Sequence, residues 1–154
     1  MNYAIRRAGN RDLDILVDFT VAEAREAEGA QRDPAGVRRG VAAGLAEPAV
    51  ATYWVVEAEQ GEIVARTSVV REWSDWHGRD YWWIQSMYVA PAHRGRGLAE
   101  MLIATVSDEA RSSGAADLRL YVHTGNERAI NAYRRCGFGD LPYAIMSRPL
   151  KGSG

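Results

Sequence analysis

From Tyr88 to Met101 the chain reads Y-V-A-P-A-H-R-G-R-G-L-A-E-M: an apolar strand, a glycine turn, then a helix. That order constrains the fold more than any other stretch of the sequence. Glycine lets a backbone turn tightly and come close to a ligand, because no Cβ stands in the way. The first N–H groups of the helix lack internal partners, and the helix dipole favours an anion there. A phosphate is the natural guest. Two familiar phosphate motifs are nonetheless absent. No third glycine completes G-x-G-x-x-G, and no G-K-[ST] is present.

The rest of the chain alternates in the same manner. Tyr3 to Arg7 reads as a short strand. Asp12 to about Glu28 reads as a helix with Leu13, Leu16, Val17, Val21 and Ala24 on one side. Asp33-Pro34 caps a second helix carrying Val37, Val41 and Leu45. Gly36, Gly40 and Gly44 run beside that stripe. They allow close approach to another backbone, but the weight falls on a loosely held helix. Thr52 to Glu57 and Ile63 to Val70 flank a turn at Glu59-Gln60-Gly61-Glu62 and predict a hairpin. Further strands are predicted at Tyr81 to Val89, Asp117 to Val122 and Tyr143 to Leu150. Gly97 to Ser113 reads as a helix with Leu98, Leu102, Val106 and Ala110 inward, stopped by Gly114. Asn126 caps a last helix through Arg135. The expectation is a mixed α/β sheet with helices on both faces, one domain over 1–150 and a frayed tail over 151–154.

Composition excludes several classes. A net charge of -1 offers no electrostatic case for nucleic acid or for an anionic membrane. Cys136 is the sole cysteine, so no internal disulfide can form. His77, His93 and His123 lack ligand spacing, and no metal is expected. No apolar run approaches the ~20 residues of a spanning helix, nor does the N-terminus carry a signal-peptide core. A cytoplasmic protein is the expectation.

With Val89 and Pro91 leading in, Arg94, Gly97 and Ala99 resemble the R/Q-x-x-G-x-G/A signature of the GNAT superfamily of N-acetyltransferases. A second block resembles the late strand, N-x-x-A-x-x-x-Y helix and G-F turn of that family. It comprises Leu118 to Val122, then Asn126, Ala129, Tyr133 and Gly137-Phe138. The resemblance implies the acyl-CoA N-acyltransferase fold: a mostly antiparallel sheet of roughly six to seven strands under about four helices. It also implies acetyl-CoA as cosubstrate. Main-chain groups of Met87, Tyr88 and Val89 would then pair with the pantetheine arm. The N–H groups of Gly95, Arg96, Gly97, Leu98 and Ala99 would cradle the pyrophosphate, with Arg94 nearby. Asn126 would touch the arm or simply cap its helix.

Acetyl transfer makes its own demands. A free alkyl amine has a pKa of about 10 and attacks only when neutral, so a proton acceptor or water path is required. The departing thiolate needs a donor, and by resemblance Tyr133 supplies it; the alternative is a packing role. Relatives often place an acid or histidine where this chain has Trp83 and Gln85. Glu72 is the first choice among the remaining carboxylates. Trp73, Trp76, Trp82 and Trp83, with Asp75, read either as an apolar slot for an ammonium ion or as a sheet cover. Glu23, Glu26 and Glu28 form a second acidic group, which reads as a solvated face or as part of the acceptor site.

The expected activity is transfer of acetyl from acetyl-CoA to a primary amine, by direct attack in a ternary complex. A small cationic acceptor is favoured over a peptide or protein amine. A CoA-binding module without transferase activity is the alternative of another class. Homodimers are common in the family.

Overall fold

A computed structural model describes residues 2–150; the tail expected over 151–154 lies outside the described residues. The sheet has the order β1-β2-β3-β4-β5. Its strands are β1 (Ala4–Arg7), β2 (Ala51–Glu57), β3 (Ile63–Ser74), β4 (Arg79–Val89) and β5 (Asp117–Leu120). Every pairing is antiparallel except β4 with β5. Helices α1 (Leu13–Glu28) and α2 (Pro34–Ala46) cover one face, and α3 (Leu98–Ser112) and α4 (Glu127–Arg135) lie on the other.

The predicted stripe of α3 is the inward one: Leu98, Leu102, Val106 and Ala110 pack on Trp54, Val64, Val69, Trp82 and Ile84. On the opposite face Leu16 and Val17 of α1 and Val41 of α2 meet Tyr53 and Val55 of β2. Phe19 continues the α1 stripe and lies 5.0 Å from the Tyr88 ring. A bidentate Arg6–Asp12 pair, with both contacts at 2.9 Å, ties β1 to the start of α1. Among the described residues, no helix is long and apolar enough to cross a membrane.

The glycines of α2 differ among themselves. A Cβ on Gly44 would lie 2.4 Å from the Tyr53 hydroxyl oxygen, whereas one on Gly40 would meet nothing within 4 Å. Gly44 therefore marks close approach of α2 to the sheet, contrary to the loosely held helix expected from the spacing.

Two further expectations are corrected. The third strand is longer than predicted: β3 runs past Val70 to Ser74 and pairs with β4 throughout, so Trp73 lies on a strand rather than in a loop. Tyr143 to Leu150 forms no strand, leaving five strands among the described residues instead of six to seven. Pro142 precedes that run and Pro149 lies within it, and neither has the N–H a ladder requires. Tyr143, Ile145, Met146 and Leu150 are exposed there.

The fold's most consequential feature is a β-bulge in β4. Ser68 pairs with Ser86 and Val69 with Ile84, so Gln85 is the extra residue. Beyond it the strand has only one neighbour, since β5 pairs with Tyr81 to Ile84 and then ends. Bulges bend a strand and interrupt its pairing. From Gln85 to Val89, β4 consequently has an open edge.

Candidate functional site

Main-chain groups on that open edge are met by side chains instead of a strand. The Met87 N–H donates to Glu23 Oε2 at 2.7 Å. The Val89 carbonyl accepts from Arg94 Nε–H at 2.9 Å. An unpaired strand edge offers donors and acceptors to any extended guest. Immediately downstream, the short turn Pro91–His93 leads into Arg94 and the glycine loop. Gly95 and Gly97 have φ of +77° and +79°, a region other L-residues enter at a cost. Around a Cβ at Gly95 there would be nothing within 4 Å, and at Gly97 only Glu100 Oε2 at 3.9 Å. No side chain caps α3 at Gly97. An extended amide-bearing arm on β4 and an anion over this turn fit the residues present.

Glu23 sits where the charges converge. Its carboxylate is one quarter exposed and lies 4.0 Å from the guanidinium of Arg66 on β3, which is almost wholly buried. Arg66 donates to Thr20 Oγ1 at 2.7 Å, while its buried Nε has no hydrogen-bond partner. Burial raises the Glu23 pKa above the usual carboxylate range, opposed by Arg66 and by the Met87 N–H. Tyr133 on α4 is half-buried and edge-on to Phe138, with ring centroids 5.9 Å apart. Burial raises its phenol pKa, and the charge of Glu23 adds to the effect.

Glu26 is differently engaged. It accepts from the Tyr88 hydroxyl at 2.6 Å and from Arg94 at 2.8 Å, and those two hydrogen bonds hold its pKa below the ordinary value. The Arg94 guanidinium also lies 5.4 Å from the Tyr88 ring. Arg96 reaches the Tyr3 hydroxyl at 3.1 Å. Beside Glu26 and Ala27 a cleft of about 330 Å³ opens, walled opposite by His123, Gly125 and Asn126. Asn126 caps α4, its side chain accepting from the Ala129 N–H at 3.2 Å. Glu28 is exposed and 3.9 Å from Arg32.

The predicted aromatic slot is not assembled. Successive strand residues face opposite sides of a sheet. Trp82 is accordingly buried in the core under α3, while Trp83 lies on the other face and stacks on Tyr121 at 4.4 Å. Trp73 and Trp76 are exposed, and Asp75 accepts from the Trp73 indole at 3.0 Å. Glu72 accepts from the Trp83 indole at 2.9 Å and stands opposite Tyr81. Tyr81 is six residues from Met87 along β4, about 20 Å at roughly 3.3 Å per residue. The structure thus brings Met87, Val89, Arg94, Glu26 and the glycine turn together. It leaves Glu72, Trp73 and Asp75 at the far end of the hairpin.

Glu23 ranked no higher than its neighbours in the sequence, although a signal was there. Leu16, Phe19 and Glu23 follow i, i+3, i+7 spacing, so this carboxylate extends the apolar stripe of α1. Glu28 falls off it. A charge on a buried stripe is the informative exception.

The sequence profile of the acetyltransferase (GNAT) family matches residues 13–138. The chain belongs to that family. It is similar to thialysine N-epsilon-acetyltransferase of Bos taurus, 36% identical over 47% of this chain and 42% of that protein. It is also similar to streptothricin acetyltransferase of Streptomyces lavendulae, 37% identical over 60% of this chain and 47% of the other. The chain thus matches less than half the length of each of these relatives. A crystal structure described as a "possible acetyltransferase" from Clostridium difficile 630 superposes with a TM-score of 0.90 at 28% identity. That match covers 97% of this chain and 99% of the other.

Proposed function

We propose that the protein is an acetyl-CoA-dependent N-acetyltransferase acting on the primary amine of a small molecule by direct attack in a ternary complex. One observation carries this reading: the open edge of β4 presents the Met87 N–H and Val89 carbonyl directly ahead of an uncapped glycine turn. Acetyl-CoA supplies an activated acyl thioester and an anionic pyrophosphate. Met87, Tyr88 and Val89 would align the arm through main-chain groups, and Gly95 to Ala99 would offer N–H donors to the phosphates. Arg94 and Arg96 add positive charge beside them. Tyr133 would hold a proton for the departing sulfur, and its raised phenol pKa keeps that proton in place at neutral pH.

A small cationic acceptor is supported by relatives named for thialysine and streptothricin, and the cleft beside Glu26 offers a small molecule room. The exposed apolar residues from Leu141 to Leu150 support self-association as a homodimer, which sedimentation would register as a doubled mass. Thiol release from acetyl-CoA should be measured across polyamines, amino acids, aminocyclitols and lysine peptides. Turnover with one of the small amines is expected. Release with peptides alone would move the acceptor to protein amines. Calorimetric binding without release for any amine would favour a CoA-binding module.

A further inference from the structure

We propose that Glu23 receives the proton lost by the acceptor amine, and that in the free protein its carboxylate holds the Met87 N–H in reserve for the thioester carbonyl. This rests on the transferase reading above and names the proton acceptor within it.

Position comes first. Of the carboxylates considered for this role, Glu23 alone is hydrogen-bonded to the open edge of β4. Glu26 is committed to Tyr88 and Arg94, Glu28 is exposed beside Arg32, and Glu72 is held at the other end of the strand. A developing oxyanion needs a positioned N–H donor, and a carboxylate already marks where such a negative oxygen sits on Met87. Handing that N–H to the carbonyl frees Glu23 without moving it away from the reacting centre.

Its surroundings suit the task. Four elements face it: Arg66 of β3, the Met87 N–H of β4, Tyr133 of α4 and Glu28 further along α1. Arg66 stands at 4.0 Å, not in a close bidentate pair, and keeps an unpaired Nε. The carboxylate is therefore steadied as an anion but retains a lone pair for a proton. Burial moves its pKa toward neutrality, the direction that improves a general base. Tyr133 is unsuited as a base, since both burial and the charge of Glu23 keep its phenol protonated. Burial thus shifts both groups upward, which makes Glu23 the better proton acceptor and leaves Tyr133 a proton donor.

The step balances. As the amine nitrogen forms its bond to the carbonyl carbon and the C–S bond breaks, Glu23 takes the proton leaving nitrogen and Tyr133 gives one to sulfur. Solvent then reprotonates Tyr133 and deprotonates Glu23. Amine and thioester have become amide and thiol.

The first test needs no turnover. In the free protein, the Met87 amide resonance should follow the Glu23 side-chain titration by NMR, and saturating acetyl-CoA should abolish that dependence. Glu23→Gln should bind acetyl-CoA within about threefold of the parent, because the amide oxygen can still accept from Met87. Its kcat should fall by about 10²- to 10⁴-fold and lose the Glu23 ionisation from the acidic limb of its pH profile. Glu23→Asp, which keeps the counter-charge to Arg66, should recover part of the rate and the ionisation. A Met87 resonance indifferent to Glu23 titration would overturn the shared N–H. Parent-like kcat and pH profile in Glu23→Gln would overturn the base. Failure of the unmutated protein to bind acetyl-CoA would instead overturn the transferase reading itself.

Discussion

Alanine at Gly44 and at Gly40 should change stability in opposite directions, although both glycines lie in the same helix. Helix propensity alone favours alanine by about 1 kcal/mol at each position. At Gly40 nothing lies within 4 Å of the new methyl group, so most of that gain should appear. At Gly44 the methyl carbon would sit 2.4 Å from the Tyr53 hydroxyl oxygen and 3.1 Å from a ring carbon. Tyr53 is 8% exposed and packed among Leu16, Val17, Val41 and Val55, so its ring has little room to retreat. Overpacking of this kind costs about 1–3 kcal/mol, which the propensity gain of about 1 kcal/mol offsets in part. The expected net loss for Gly44→Ala is up to about 2 kcal/mol, against a gain of about 0.5–1 for Gly40→Ala. In a domain of this size 1 kcal/mol moves Tm by roughly 2–4 °C, so thermal unfolding should separate the two variants clearly. Adding Tyr53→Phe removes the atom in the closest contact and should restore most of the Gly44→Ala loss. Stabilisation by Gly44→Ala, equal to that of Gly40→Ala, would refute the close approach.

Gly97→Glu places a carboxylate beside Glu100 at a residue with φ of +79°, and should weaken acetyl-CoA binding by about 100-fold or more. Unchanged calorimetric affinity in a folded variant would remove the turn from the site. Tyr133→Phe keeps the ring against Phe138 and should preserve fold and acetyl-CoA affinity while lowering kcat by about 10²- to 10⁴-fold. Equal turnover, with chemistry limiting the rate, would leave Tyr133 a packing residue. Asp12→Asn breaks the bidentate pair with Arg6 and should cost about 2–4 kcal/mol in urea unfolding at pH 7. The Asp12 pKa is lowered in the fold, chiefly by the Arg6 hydrogen bond, so its contribution is complete above the unfolded value of about 3.9. The gap between parent and variant should therefore shrink as pH falls below 4; a gap independent of pH would refute the pairing.

The local rules were legible from residues alone. Gly95 and Gly97 announced a tight turn into α3, the spacing of Leu98, Leu102, Val106 and Ala110 set that helix's inward face, and Asn126 announced the cap of α4. Each depends on neighbours within a few positions, and sequence order is then also spatial order. The acceptor side depended on something else. Whether Trp82 and Trp83 share a slot is decided by the two-residue period of β4, and which carboxylate reaches the Met87 N–H is decided by how α1 crosses that strand. The bulge at Gln85 and the early end of β5 arise from strand pairing between distant segments, and no local pattern encodes them. Tyr143 to Leu150 has the composition of a strand but no neighbouring ladder, because a strand needs a partner edge as well as a propensity. The sequence by itself determined the family, the glycine turn and the inward face of α3. Only the tertiary structure set Glu23, and not Glu72, against the Met87 N–H, because reach across a sheet depends on distances that the chain acquires on folding.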